Sequence, residues 1–218
     1  MSLTSYWPLA GLQVRTPRLE LRMPGPEDMG ALAGLAADGV HDPVVQPFTA
    51  EWTDAEPDVR AQRVLQWHWR CWAEWQPDAW SLNFVVLRDG MVVGTQSLAA
   101  KSFAVCSEVN TGSWLGRTHH GQGIGTEMRA AVLELAFARL GANSAVSGAF
   151  EDNLGSRGVS RKLGYEPDGI EVHAVRGKPA VLQRLRLTRT RWEAHRSVPV
   201  AVTGLAECLP LFGIRTNP

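Results

Sequence analysis

Leu19 and Leu21 alternate with Arg18, Glu20 and Arg22, the period-two pattern of a strand with one buried face. Pro24, Gly25 and Pro26 break it. Glu27 and Asp28 then suit the first turn of a helix, where the dipole favours carboxylates. Leu32, Leu35 and Ala36 form its apolar stripe, and Gly39 ends it. Residues 41–53 lack periodicity and carry two prolines, so they read as a long loop. Asp58 to Glu74 reads as a helix bearing Trp67, Trp69 and Trp72, with Trp75 just beyond. Residues 67 and 69 lie nearly opposite each other on a helix, so these four rings cannot share a face. Trp80 to Leu87 and Met91 to Ala99 form a hairpin around Asp89-Gly90.

After a connection at 102–107, Glu108 to Leu115 is a strand. It carries Glu108, Asn110, Gly112 and Trp114 on one face and Val109 and Leu115 on the other. Met128, Ala131, Val132, Leu135 and Ala136 hold helical spacing through 126–140, and Gly141 caps that helix. Ala142 to Phe150 is a buried strand. Asn153 to Leu163 is a helix ended by Gly164. Glu166 to Val175 and Val181 to Thr188 pair across Gly177-Lys178-Pro179, and Thr188 to Arg196 adds a short helix with Trp192. Met1 to Thr16 reads as an irregular extension. The tail from Ser197 to Pro218 is apolar in places and reads as packing on the body or on a second subunit.

The element order is β-α-α-β-β-β-α-β-α-β-β, a single α/β (α+β) domain over residues 1–196, with 1–14 as the N-terminal extension and 197–218 as the tail. Hydrophobic residues make up 44% and charged residues 20%, enough for a packed core. Twenty-two basic residues balance 22 acidic ones, which argues against bulk nucleic-acid binding and against electrostatic attachment to a membrane. No apolar run approaches the roughly 20 residues of a membrane span, and no signal-peptide pattern opens the chain. Cys71, Cys106 and Cys208 are scattered and form no Cys-x-x-Cys, as expected of buried thiols in a reducing cytoplasm. No His/Cys/Asp grouping has metal-ligand spacing.

The chemistry concentrates where the strand ending at Leu115 meets the helix beginning near Thr126. Between them runs Gly116-Arg117-Thr118-His119-His120-Gly121-Gln122-Gly123-Ile124-Gly125. A strand, a Gly-rich turn and a helix N-terminus in that order can cradle a phosphate with bare N–H groups. No Lys-Ser/Thr pair follows, so this is not a Walker loop, and the alternate-position glycines do not make a dinucleotide fingerprint. The same order also fits a plain turn without a ligand.

The spacing resembles the pyrophosphate loop of the GNAT superfamily of acyl-CoA-dependent N-acyltransferases, Arg/Gln-x-x-Gly-x-Gly/Ala, with His120 at its first position. A second match lies in order downstream. Asn153-Leu154-Gly155-Ser156 and Lys162-Leu163-Gly164-Tyr165 resemble the family's Asn-x-x-Ser helix and its Lys-Leu-Gly-Phe/Tyr close. Thr16-Pro17-Arg18-Leu19 resembles the opening of the RimJ/RimL-like branch, which acylates protein N-termini.

The resemblance implies a mixed, mostly antiparallel sheet with helices on both faces and a splay between the fourth and fifth strands. It implies acyl-CoA as co-substrate, acetyl-CoA or a larger thioester such as succinyl-CoA, with no metal. Trp114, Leu115 and Gly116 then contact the pantetheine arm through their backbone. His120, Gly121, Gln122, Gly123, Ile124, Gly125 and Thr126 hold the pyrophosphate. Asn153 bonds the pantetheine arm, or acts simply as a helix cap, and Ser156 serves the departing thiolate, or is a solvated first-turn serine.

Glu108, on the strand face shared with Asn110 and Trp114, is the candidate general base, or an edge-strand surface residue. A strong base is not required for an α-amine, whose pKa near 7.8 leaves part of it neutral at physiological pH. The four tryptophans wall the acceptor pocket or fill core and subunit contacts. The implied activity is direct transfer of the acyl group, through a tetrahedral intermediate, to a primary amine: a protein N-terminus, a lysine or a small molecule. A homo-oligomer without nucleic-acid or membrane partners is expected. A non-catalytic acyl-CoA-binding module and an antibiotic N-acetyltransferase are the competing expectations.

Overall fold

A computed structural model describes residues 2–214. Nine strands form one sheet in the order β7-β8-β6-β5-β4-β3-β2-β1-β9. They are β1 (Gln13–Arg15), β2 (Leu19–Arg22), β3 (Ala79–Arg88), β4 (Met91–Lys101), β5 (Glu108–Leu115), β6 (Ser144–Phe150), β7 (Glu166–Val175), β8 (Lys178–Thr188) and β9 (Ala201–Thr203). The helices are α1 (Pro26–Asp38), α2 (Pro57–Ala73), the single turn α3 (Phe103–Cys106), α4 (Ile124–Glu134), α5 (Leu154–Lys162) and α6 (Arg189–His195). A π-turn at Leu135–Arg139 prolongs α4, and Gly141, at φ +83°, ends it in the left-handed conformation that glycine adopts without strain.

Among the named strand pairs only β5 and β6 run parallel, and they pair over three positions: Glu108 with Ser144, Val109 with Ala145 and Asn110 with Val146. Each keeps a long antiparallel partner on its other side. β5 follows β4 from Asn110 to Leu115, and β6 follows β8 from Ser144 to Phe150. Two antiparallel halves therefore meet along a short seam and part beyond Asn110. Just past the seam, the Ser147 hydroxyl donates to the Thr111 carbonyl at 3.2 Å, a side-chain bond where a ladder bond would otherwise continue. The wedge that opens there is the expected splay.

Helices cover both faces. Trp114 packs with Leu32 and Ala36 of α1 and Val64 of α2 on one side. On the other, Thr111 and Ser113 of β5 face Tyr165 and Arg129 of α4. The N-terminal end departs from the sequence expectation, and the C-terminal tail takes the first of its two expected placements, on the body. The segment taken as an irregular N-terminal extension buries Leu9, Leu12 and Val14 completely and supplies β1, an interior strand between β2 and β9. Three-residue strands leave too short an alternation to detect. From Ser197 to Ile214 the tail packs on its own chain: β9 pairs with β1, Cys208 and Phe212 are fully buried, and the Trp75 indole N–H donates to the Leu211 carbonyl at 2.9 Å. Residues 215–218 of that tail lie outside the described residues. No helix among the described residues is long and apolar enough to cross a membrane.

Candidate active site

β5 carries the chain to Gly116, where a side chain would collide with Leu35: a Cβ would stand 2.8 Å from its Cδ2. The backbone then turns through Arg117–His119 and reaches Gly121 and Gly123 at φ +73° and +78°, which only glycine takes without strain. α4 begins at Ile124, two residues earlier than its apolar stripe suggests. Gly123 is its N-cap residue and brings no side chain to cap it. Glu127 is the first residue of the helix whose N–H finds an acceptor, the Gly123 carbonyl at 3.2 Å. The N–H groups of Ile124, Gly125 and Thr126 are thus left open at the positive end of α4, beside the exposed segment 120–123. That is the arrangement that binds a phosphate.

A brace that sequence reasoning missed holds this loop. The Glu127 carboxylate is 7% exposed and accepts from the Thr16 hydroxyl (2.6 Å) and from Arg18 Nε (2.6 Å). Arg18 also donates to the Gln122 carbonyl at 3.1 Å, and Arg88 donates to Gln122 Oε1 at 2.6 Å. The Thr16-Pro17-Arg18-Leu19 stretch was visible as a family likeness, but nothing local in it points to a loop more than a hundred residues away. His120 sits with Nε2 3.1 Å from the Leu115 carbonyl, a bond in which the imidazole N–H donates, so this side chain ties the loop to β5.

α5 forms the other wall of the wedge, close enough to α4 that a Cβ on Gly125 would stand 3.5 Å from Val159 Cγ2. Asn153 caps α5 by accepting from the Ser156 N–H at 3.0 Å. That occupies its oxygen and leaves its amide N–H2 without a protein acceptor among the described residues. Ser156 is half-buried in the first turn, and its hydroxyl makes no hydrogen bond among the described residues. One turn on, Ser160 is buried and accepts from Arg129 at 2.9 Å.

The structure does not bring Glu108 into this group. It lies within the paired seam, before the strands part, and its carboxylate is bound by the Ser144 hydroxyl (2.7 Å) and by Arg186. Partial burial would raise its pKa, but the Ser144 hydroxyl and the Arg186 guanidinium outweigh that and hold the carboxyl below the usual range. A carboxylate so held has little driving force to take a proton from an amine. Period-two alternation placed it on the correct face; the neighbours that occupy it come from β6 and β8.

The helical tryptophans also sit elsewhere. Trp67 and Trp69 are each 53% exposed, and Trp75 is buried against Trp7, Trp80 and Phe212 at the far end of the sheet. The rings beside the wedge come instead from the loop at 41–53. Trp52 packs against Trp114 (5.8 Å), Phe48 against Trp52 (5.3 Å) and His41 against Phe48 (5.7 Å). His41 Nε2 bonds the Thr53 hydroxyl at 2.8 Å, and Arg176 at the β7–β8 turn forms a bidentate pair with Asp54 at 2.6 and 2.8 Å. The Arg176 bonds hold the Asp54 carboxyl below its usual pKa. These contacts border an open pocket of about 330 Å³ lined by His41, Asp54, Arg60 and Arg176, among others. The aromatic content of a loop between two helices was the signal available for it. Among the described residues no group of three His, Cys, Asp or Glu side chains could hold a metal ion.

The model of the acetyltransferase (GNAT) domain family matches residues 18–166. Among solved structures, RimJ of Mycobacterium smegmatis in complex with CoA-disulfide superposes with a TM-score of 0.70 at 20% identity, covering 88% of this chain and 97% of that one. RimL, the ribosomal L7/L12 alpha-N-protein acetyltransferase in complex with coenzyme A, gives 0.62 at 18% identity over 79% and 95%. A GCN5-related N-acetyltransferase from Brucella melitensis gives 0.66 at 18% identity over 84% and 81%. At these identities the three likenesses concern the fold.

Proposed function

The chain belongs to the GNAT acetyltransferase family, and from that premise we propose that it is a cytoplasmic, acyl-CoA-dependent N-acyltransferase of the RimJ/RimL-like branch that acylates the α-amine of a protein. The observation that carries this reading is the open N-terminus of α4, braced beside a wedge between the sheet's two parallel strands. The N–H groups of Ile124, Gly125 and Thr126 take the pyrophosphate, with Arg18 and Arg88 next to the loop adding positive charge. The backbone from Trp114 to Gly116 aligns the pantetheine arm, as a strand edge binds an extended chain. An N–H of β5 at the wedge polarises the thioester carbonyl and steadies the oxyanion, an interaction worth about 3–4 kcal/mol per donor.

The amine enters past the Trp52–Trp114 pair, from the α1–α2 side, and attacks the carbonyl carbon. The tetrahedral intermediate collapses with loss of the CoA thiolate, which takes the Ser156 hydroxyl proton; solvent reprotonates the serine. With Glu108 bound to Arg186, the amine loses its proton to water. An α-amine, with a pKa near 7.8, supplies neutral nucleophile unaided, whereas a lysine near 10.4 is only about 0.1% neutral. This favours a protein N-terminus as acceptor, the substrate that the RimL name describes for that protein.

The commitment of Glu108 to Arg186 equally favours a second reading, a module that binds acyl-CoA without turning it over. Isothermal titration with acetyl-CoA and CoA, run beside a thiol-release assay on peptides with free N-termini, separates the two. Binding with peptide-dependent thiol release is expected. Binding without release on any peptide or amine would leave the binding module, and no binding would remove both.

A further inference from the structure

Five Asp, Glu, His, Lys or Arg residues are buried among the described residues: Asp28, His68, Glu127, Arg129 and Glu134. Three of them are carboxylates, and each has its own guanidinium. Asp28 pairs with Arg22 (2.6 Å), Glu127 with Arg18 (2.5 Å) and Glu134 with Arg196 (3.3 Å). His68 bonds the Val64 carbonyl through Nδ1 and leaves Nε2 without a partner, but burial holds it toward its neutral form, so it carries no charge that needs a counter-ion. Arg129 differs from all of these. It is 4% exposed, and no carboxylate among the described residues pairs with it. Its partners are two hydroxyls, Ser160 at 2.9 Å and Ser113 at 3.4 Å, and its Nε has no partner. A cation buried without a counter-ion costs several kcal/mol even after relaxation, and two neutral hydroxyls offset only part of that. Burial accordingly pulls the guanidinium pKa downward.

The location says what is missing. Ser113 lies on the part of β5 that has left β6, and Ser160 lies on α5 one turn beyond Ser156. Arg129 is therefore at the floor of the wedge, five residues or roughly 7.5 Å along α4 from its open N-terminus. Around it are hydroxyls that accept or donate without adding charge: Tyr165 and Thr111 are buried and 3.1 Å apart. We propose that Arg129 is the subsite for a carboxylate carried by the acyl chain, so that the donor is the CoA thioester of a dicarboxylic acid. This rests on the acyl-CoA reading above and narrows its donor. The carboxylate belongs to the acyl chain rather than to the acceptor because Arg129 is on the α4–α5 side of the sheet. The acceptor loop and its aromatic rings are on the α1–α2 side.

The test titrates the full chain with free CoA, butyryl-CoA and succinyl-CoA, whose acyl chains have the same carbon count and differ by the carboxylate. Succinyl-CoA should bind at least about tenfold more tightly than butyryl-CoA, the difference expected of a charge-assisted pair. Arg129→Met should abolish that ratio and Arg129→Lys should keep part of it. The melting temperature of ligand-free Arg129→Met should match or exceed the parent's, since an unpaired buried charge has been removed. A parent that binds free CoA but not succinyl-CoA in preference to butyryl-CoA overturns the inference while leaving the acyl-CoA reading standing. A parent that binds no CoA species overturns both. Equal loss of both thioesters in Arg129→Met, or a lower melting temperature, would assign Arg129 to the fold. Should Arg129→Met fail to fold, that too assigns it to the fold, and the parent's own ratio still decides whether the carboxylate is recognised.

Discussion

Two charged side chains flank the point where β5 parts from β6, and they are treated oppositely. Before the parting, Glu108 meets Arg186 from β8 and the Ser144 hydroxyl from β6, with Asp168 also on Arg186, so the cluster is satisfied and partly solvated. Beyond it, Arg129 meets only serines, in the interior. Where the sheet is closed, neighbouring strands supply counter-charges across the ladder. Where it is open, no neighbouring strand supplies one, and Arg129 keeps only the Ser160 and Ser113 hydroxyls. A charge that looks catalytic in the sequence can thus be structural, and one that looks structural can belong to the site.

The first way to break this comparison is at the open end. Gly123→Val places a β-branched residue at φ +78° over the helix N-terminus. It should weaken CoA binding by more than about tenfold through lost backbone approach to the phosphates. Titration calorimetry reads the loss, and circular dichroism checks that the fold persists. Unchanged affinity would remove the cradle from the open end altogether.

Ser156→Ala comes next. It should lower kcat about tenfold while the Michaelis constant for acyl-CoA stays nearly constant, since the hydroxyl acts on the leaving thiolate mainly in the transition state. Equal kinetics in parent and variant would return Ser156 to a solvent-facing role. Trp52→Ala removes the ring packed at a tilt against Trp114. It should raise the Michaelis constant for the peptide acceptor by about threefold to tenfold and spare CoA affinity; steady-state kinetics with each substrate varied in turn would show the reverse pattern if the acyl-CoA side were affected instead.

The smallest effect is expected at the closed end. Glu108→Gln should change turnover by less than about threefold, because Ser144 and Arg186 hold the carboxylate and leave it little driving force to take a proton. With the carboxylate so engaged, the effect of the substitution should fall on stability, and there by no more than about 1 kcal/mol, because the pair is partly exposed and screened. The folded-state pKa of Glu108 is depressed below its ordinary value of 4.5. Its contribution is therefore complete above that value and lost as pH falls through the folded one. Denaturation midpoints of parent and variant should differ at pH 7 and converge in strong acid. A loss of a hundredfold or more in turnover, flattening the acidic limb of the pH–rate profile, would restore Glu108 as the base.

Much of this architecture is legible along the chain because it is local. The alternation at Leu19–Leu21, the Asp89-Gly90 turn, the stripe from Met128 to Ala136 and the Asn153 cap each depend on a few successive residues, and the structure keeps them with shifts of one to three residues at their ends. The spacing of Gly121, Gly123 and Gly125 likewise carries the phosphate end of the site, since a turn and a helix N-terminus are made by one continuous segment. The short strands β1 and β9 escaped notice because three residues hold too little pattern, and only pairing with each other and with β2 defines them.

What the tertiary structure alone decided is which charges meet. Arg186 reaches Glu108 across 78 positions, and Arg18 reaches Glu127 across 109. Trp52 rather than the tryptophans of α2 packs against Trp114. Arg129, one more polar residue in an amphipathic helix when read in sequence, is left without a counter-ion only because β5 and β6 separate above it. Periodicity and turn chemistry are properties of neighbours along the chain and survive in the sequence. Desolvation and ion pairing depend on what strand pairing brings within a few ångströms, and that is set by the closed and open ends of the sheet.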